Sequence, residues 1–300
     1  MRMFDPDLEL VAVGSSSADM PTFGTWEETV LAGTIDLVDY LSCHIYFYND
    51  GDLTKFLRSS TVLDRFLDEV DDTIQRTKAA TGSTRDVRIS LDEWNVWNYH
   101  AYDALKAERQ FEVAPRLLEE EYTLADAVVV GTLLQSILNH ADTVSIAALA
   151  QLVNVIGPIR AEPTGDAWRQ TTFFPFAAAA HSSGHTVHAT RVETPGTEES
   201  AVLATVTRSP GGELACVYLA NRGLDRPVEV ELDLSDHGAD AFVHAELLWH
   251  PDPLATNTAD DSARVTPQPL ATTLESGTLR LTMPPLSWAS IRVTCRTERG

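Results

Sequence analysis

The run Val87-Arg88-Ile89-Ser90-Leu91 leads straight into Asp92-Glu93-Trp94-Asn95-Val96-Trp97. Its first half is short and apolar, the signature of a buried strand, and its second half places two carboxylates, two indoles and an amide at that strand's end. Similar apolar runs occur at residues 8–13 (LELVAV), 38–47 (containing YLSCHIYF) and 143–148 (TVSIAA). Ahead of VRISL, Leu63, Phe66, Leu67, Val70 and Ile74 recur at helical spacing, with Asp68, Glu69, Asp71 and Asp72 largely off that face as a solvated surface. Residues 124–139 form a second helical stretch that stops near Asn139-His140. Strands alternating with helices predict βαβ units, a parallel sheet and right-handed crossovers.

From about Thr186 the period changes. The runs HTVHATRV, AVLATVT, LACVYLA, VEVELDL, AFVHAELLW, TLRLTM and SWASIRVTC are separated by Gly, Pro, Asp and Asn clusters. Seven short strands in succession predict an antiparallel β-sandwich. The fold class is therefore α/β followed by all-β, with residues 1–184 and 185–300 as the two domains. Residues 251–269 are polar and read as a solvated loop; they lack the calcium-loop pattern.

Composition narrows the function classes. The 300 residues carry 44 acidic and 22 basic side chains, a net charge of −22, which repels nucleic acid and anionic membranes. Only Lys55, Lys78 and Lys106 are lysines, so nearly all the positive charge is arginine. A GC-rich genome explains the lost lysine but not the added acid, so a salt-adapted, halophilic origin is expected. Cys43, Cys216 and Cys295 lie far apart without a CxxC pair, which argues for a reducing compartment and against a cysteine zinc site. The N-terminus has no apolar signal segment and no run is long enough to span a bilayer, so a soluble cytoplasmic protein is expected.

Active sites of parallel α/β folds form at the C-terminal ends of the strands, where Asp92 and Glu93 fall. Carboxylates beside indoles suit sugar chemistry: the ring face packs on sugar C–H groups while a carboxylate serves an oxocarbenium-like centre. The plainer alternative makes Asp92 a cap and buries Trp94 and Trp97 as core. His181, His185 and His188 suggest a metal site by spacing, but they straddle a helix-to-strand junction, and a solvated turn is the better reading. Cys43 beside His44 invites a dyad reading, yet neighbouring strand residues point apart, which leaves His44 as a polar pocket wall. Gly14-Ser15-Ser16-Ser17 lacks a phosphate-loop ending and reads as a strand-end loop.

The segment Ser90-Leu91-Asp92-Glu93-Trp94-Asn95-Val96-Trp97 resembles the nucleophile segment of family 51 glycoside hydrolases, the intracellular α-L-arabinofuranosidases. LVAVGSS at 10–16, His44-Ile45-Tyr46, YTLADA at 122–127, AQLVNV at 150–155 and WRQT at 168–171 resemble further blocks in the family's order. The likeness is strong over residues 1–185 and weaker in the tail. It implies a (β/α)8 TIM barrel followed by a β-sandwich, and a retaining glycosidase with two glutamates and no cofactor or metal. Glu93 matches the nucleophile, Tyr46 a tyrosine beside it, Gln151 a glutamine that binds arabinose, and Trp97 an active-site tryptophan.

The four strands correspond to the fifth to eighth of that barrel, its C-terminal half. The family's acid/base glutamate follows an asparagine on the fourth strand, and this chain has no Asn-Glu dipeptide. The chain is expected to begin just past that residue and to lack the acid. Asp92 is a poor stand-in, because adjacent strand residues should face opposite ways, and Asp19 is the other carboxyl to consider. The leading reading is removal of terminal non-reducing α-L-arabinofuranosyl residues from arabinose-containing oligosaccharides. Alternatives are the same mechanism on xylosides or glucans, or a non-catalytic sugar-binding or assembly remnant. A homo-oligomer, or a partner chain supplying the first barrel half, is expected.

Overall fold

The computed structural model describes residues 1–296 apart from residues 2, 101–111, 114, 164 and 194–200. The first part of the chain comprises β1 (Val11–Ala12), α1 (Thr25–Thr34), β2 (Tyr40–Phe47), α2 (Leu53–Phe56), α3 (Ser59–Thr81), β3 (Arg88–Val96), α4 (Leu124–Asn139) and β4 (Val144–Leu149). A small hairpin of β5 (Ile159–Ala161) and β6 (Ala167–Arg169) leads to α5 (Phe173–Ala180). Strands β1 to β4 pair in chain order, and every pair is parallel. This is the C-terminal half of a (β/α)8 barrel, with the four strands where the apolar runs place them.

The helices follow from their sequences. In α3, Leu63, Phe66, Leu67, Val70 and Ile74 are almost wholly buried, and Gly82, with φ 73°, closes the helix in the left-handed conformation. Helix α4 is apolar all round because it is covered on every side: Leu124 through Ile137 are buried. Its N-terminus is a capping box in which the Asp126 carboxylate accepts from the Thr123 amide at 2.7 Å and hydroxyl at 2.8 Å.

The remainder is a β-sandwich of β7 (Thr186–His188), β8 (Val202–Arg208), β9 (Leu214–Asn221), β10 (Val228–Asp233), β11 (Ala239–Leu248), β12 (Gln268–Pro269), β13 (Thr272–Glu275), β14 (Thr278–Met283) and β15 (Ser287–Cys295). Six of these strands form one sheet in the order β12-β11-β15-β9-β8-β7, facing a three-stranded sheet β10-β14-β13. Strands β12 and β13 escape the sequence reading because they are short and carry little apolar signal.

The central strands β9 and β15 of the six-stranded sheet are buried on both faces. Along β9, Ala215, Val217 and Leu219 enter the sandwich core, while the alternate Cys216, Tyr218 and Ala220 join the core of the barrel half. Along β15, Ala289, Ile291 and Val293 face the sandwich and Trp288 faces the barrel half. Gly131 of α4 makes room for that indole, since a Cβ there would lie 2.4 Å from Trp288 Cδ1.

Residues 251–269 correct the solvated-loop expectation, their last two forming β12. Asp260 and Asp261 are exposed, but Ala255, Asn257 and Val265 are buried. The carbonyls of Ala255 and Pro253 accept from the Leu124 and Ala125 amides at 2.9 and 3.0 Å. The loop thus satisfies first-turn N–H groups that a helix cannot pair internally. Among the described residues, no helix is long and apolar enough to cross a membrane.

Candidate active site

The site grows from a mismatch between β2 and β3. Cys43 pairs with Leu91, but the next residue, His44, pairs with Glu93, so Asp92 is an extra residue in the ladder. Such a bulge breaks the alternation of side chains. His44 and Tyr46, two apart on regular β2, share one face. His44 Nδ1 lies 3.1 Å from Asp92 Oδ1, and the Tyr46 hydroxyl donates to Glu93 Oε2 at 2.8 Å. Both carboxylates therefore meet the same face of β2, which overturns the expectation that Asp92 and Glu93 point apart. Two consecutive acidic residues closing an apolar strand are the trace of this bulge in the sequence.

Burial, the hydrogen bond to Glu93 and the carboxylate's charge together push the Tyr46 phenol up. It stays a protonated donor to Oε2, and Glu93 Oε1 has no hydrogen-bond partner among the described residues. Trp97 stands edge-on to Tyr46 with ring centroids 5.2 Å apart, and its backbone amide donates to the Phe47 carbonyl at 2.8 Å. Trp97 is half-buried, whereas Trp94 is 1% exposed. Of the two indoles, Trp97 can meet a ligand and Trp94 is core.

Asn95 anchors the strand end from behind. Its Nδ2 donates to the Ile156 carbonyl at 2.6 Å and to Tyr122 Oη at 3.2 Å, while Tyr122 donates to the Val96 carbonyl at 2.9 Å. Gln170 completes the frame by accepting from the Tyr122 amide at 3.0 Å and donating to the Gly157 carbonyl at 2.7 Å. These supporting roles escape the sequence reading, although Tyr122 and Gln170 sit inside two of the quoted blocks.

The other expected residues spread out. Gln151 follows β4, where the Ala150 amide donates to the Trp94 carbonyl at 3.2 Å; its side chain is exposed and bonds to none of the groups above. Asp19 is exposed in the loop after β1, and its carboxylate has no hydrogen-bond partner among the described residues. Cys43 is buried, and burial followed by the charges of Asp92 and Glu27 pushes its thiol up, the reverse of an activated nucleophile. The histidines diverge: His181 caps α5, His185 Nδ1 lies 3.1 Å from Thr207 Oγ1, and His188 packs against His237 at 4.7 Å. Among the described residues no group of three His, Cys, Asp or Glu is placed to hold a metal. Glu120, missed in the sequence, is a half-buried carboxylate that accepts from Asn98 Nδ2 at 3.1 Å, and burial raises its pKa.

A carboxylate held by a tyrosine at a strand's C-terminal end, with a sandwich docked behind, places the chain among (β/α)8 barrels that carry a β-sandwich. A profile of the α-L-arabinofuranosidase C-terminal domain matches residues 92–287. An exo-α-(1→6)-L-arabinofuranosidase of Bifidobacterium longum is 43% identical over 88% of this chain and 53% of its own length. An intracellular exo-α-(1→5)-L-arabinofuranosidase of Streptomyces lividans is 42% identical over 89% of this chain and 41% of its own length. The solved family 51 α-L-arabinofuranosidase from B. longum superposes with a TM-score of 0.88 at 38% identity, covering 97% of this chain and 60% of that one. The Thermotoga maritima α-L-arabinofuranosidase, solved as an arabinose complex, gives 0.81 at 25% identity, covering 98% of this chain and 59% of that one. The chain belongs to the family 51 α-L-arabinofuranosidases. It spans about half the length of the curated relatives it matches.

Proposed function

We propose that this chain is the nucleophile-bearing part of a retaining exo-α-L-arabinofuranosidase acting in the cytoplasm on arabinose-containing oligosaccharides. The observation that carries this reading is the Tyr46–Glu93 hydrogen bond of 2.8 Å at the C-terminal end of β3. In the first step Glu93 Oε1 attacks the anomeric carbon of a terminal arabinofuranosyl unit, the glycosidic C–O bond breaks, and a general acid protonates the leaving oxygen. In the second step that group takes a proton from water, whose oxygen attacks the same carbon and frees Glu93. Tyr46 orients the nucleophile, and Trp97, His44 and Gln151 line the sugar site. The activities for which the relatives are named and Glu93's place in the motif support the assignment.

Asp92 is engaged with His44, so the proton donor is proposed to lie on further β/α units outside these 300 residues. Support comes from the sheet's two edges. Val11 on β1 and Val13 just past it are 47% and 62% exposed, and Ile146 is 38% exposed on β4. Unpaired parallel edges with exposed apolar side chains are what additional strands cover. On this reading the barrel half runs over residues 1–184 and the sandwich over residues 185–300.

The test is labelling with an arabinofuranose-configured epoxide, whose strained ring opens with little help from an acid, followed by peptide mapping. Glu93 should carry the ester and Glu93→Gln should abolish it; a label on another residue refutes the assignment. Alone, the chain should turn over 4-nitrophenyl arabinofuranoside, whose leaving group needs little protonation, and hydrolyse arabino-oligosaccharide negligibly, because general acid help is worth about 10²–10⁴-fold. Robust oligosaccharide hydrolysis would point to Asp92, which the bulge places on the nucleophile's face.

A further inference from the structure

Aromatic rings continue outward from the nucleophile in two ranks. Tyr46 and Trp97 form the inner rank beside Glu93. Tyr99 lies 5.7 Å from Trp97, and Tyr48 lies 5.1 Å from Tyr99, forming an outer rank that His100 flanks at 4.9 Å from Tyr48 and 4.0 Å from Tyr99. Core aromatics of this chain are sealed: Trp94, Tyr122, Tyr218 and Phe66 are all under 2% exposed or close to it. The ring pairs of both ranks are instead half-buried, and His100 is exposed.

We propose that Tyr48 and Tyr99 form an outer sugar-binding subsite, which takes the second residue beyond the cleaved bond of a neutral oligosaccharide at least three residues long. This inference rests on the catalytic reading of Glu93 and deepens it. Phenol faces offer rigid apolar area that costs few side-chain rotamers, and the C–H face of a sugar ring is its natural partner. The contiguity of the rings fixes the order: arabinose at Glu93, the next residue against Trp97, the third against Tyr99 and Tyr48. Exo-cleavage leaves the retained part of the substrate on this outward path. Between Trp97 and Tyr99, Asn98 donates to the half-buried Glu120 carboxylate, a polar pair suited to sugar hydroxyls along one edge of the strip.

The experiment is calorimetric titration of the full chain carrying Glu93→Gln with arabinose, α-1,5-arabinobiose and α-1,5-arabinotriose. Affinity should rise from biose to triose by about tenfold, in line with aromatic contacts of this kind. Tyr48→Ala with Tyr99→Ala should erase that gain, and the paired Phe substitutions, which keep the rings, should retain it. Melting curves of all variants identify any loss caused by misfolding, and the Phe pair then carries the test alone, because its gain must persist. Equal affinities for biose and triose, no binding of triose, or a gain that survives both alanines would overturn the subsite. Failure of epoxide labelling at Glu93, with length-dependent binding intact, would overturn the catalytic reading and leave the subsite standing.

Discussion

Replacing Tyr46 with phenylalanine removes one oxygen and leaves the ring that packs on Trp97. The lost group is the hydroxyl that donates to Glu93 Oε2 at 2.8 Å. A hydrogen bond to a charged group contributes about 1.5–3 kcal/mol. Glu93 is exposed, so water can replace the missing donor, and the lower end applies: about 1.5 kcal/mol, or roughly a tenfold slower reaction. The loss should fall on the rate of epoxide labelling at saturating reagent, because the hydroxyl orients the attacking carboxylate. Stopped-time labelling read by intact mass measures it, with the melting temperature confirming that the fold is unchanged. A labelling rate within twofold of the parent would refute the orienting role.

Three further outcomes are expected. Gly131→Ala gains about 1 kcal/mol of helix propensity but drives a Cβ to within 2.4 Å of the Trp288 indole; overpacking of about 1–3 kcal/mol should win, and urea unfolding should show a net loss that vanishes in a Trp288→Ala background. Asp126 is raised to about 6 by burial, so it contributes stability at low pH that is lost as pH rises from about 4 through 6; the Asp126→Asn variant should gain on the parent across that window, and a constant difference would exclude the effect. If the acid-rich surface is a salt adaptation, the melting temperature should climb with potassium chloride, as the Debye length shrinks from about 30 Å at 0.01 M to about 3 Å at 1 M; a flat or falling trend leaves codon bias as the account of the missing lysine.

The sheet and helices α3 and α4 were legible because the central strands β2 and β3 are mostly buried, which leaves apolar runs, and each of these two helices writes its covered face into the chain. Helix α4 is the clearest case, its ends marked by Thr123 and His140. Strand β13 was illegible, since Thr272-Thr273-Leu274-Glu275 is short and half polar and takes its place only by pairing with β14. The stretch 251–269 misled because its polar composition hides both the backbone carbonyls that meet α4 and the Asn257 side chain, which is buried through its bonds to Arg169 and Val265. At the site, Tyr46 bonds to Glu93 and packs on Trp97, and His44 meets Asp92; the way Asp92 turns was hidden, because a bulge is a property of two strands in register. The outer ring pair of Tyr48 and Tyr99 was likewise hidden until β2 and β3 lay side by side.

Strands β9 and β15 each serve two cores, so a cut at residue 184 divides the polypeptide without dividing the fold. A recombinant sandwich beginning there would expose Tyr218 and Trp288, large side chains that are 2% and 3% accessible in the intact chain. The barrel half released by the same cut would lose the cover over α4 and the carbonyls that cap its first turn. The two parts should therefore melt in one transition and travel together through gene rearrangement. A shuffled descendant that kept the barrel but exchanged the sandwich would have to reinvent, at one step, an indole opposite Gly131 and a loop long enough to reach Leu124.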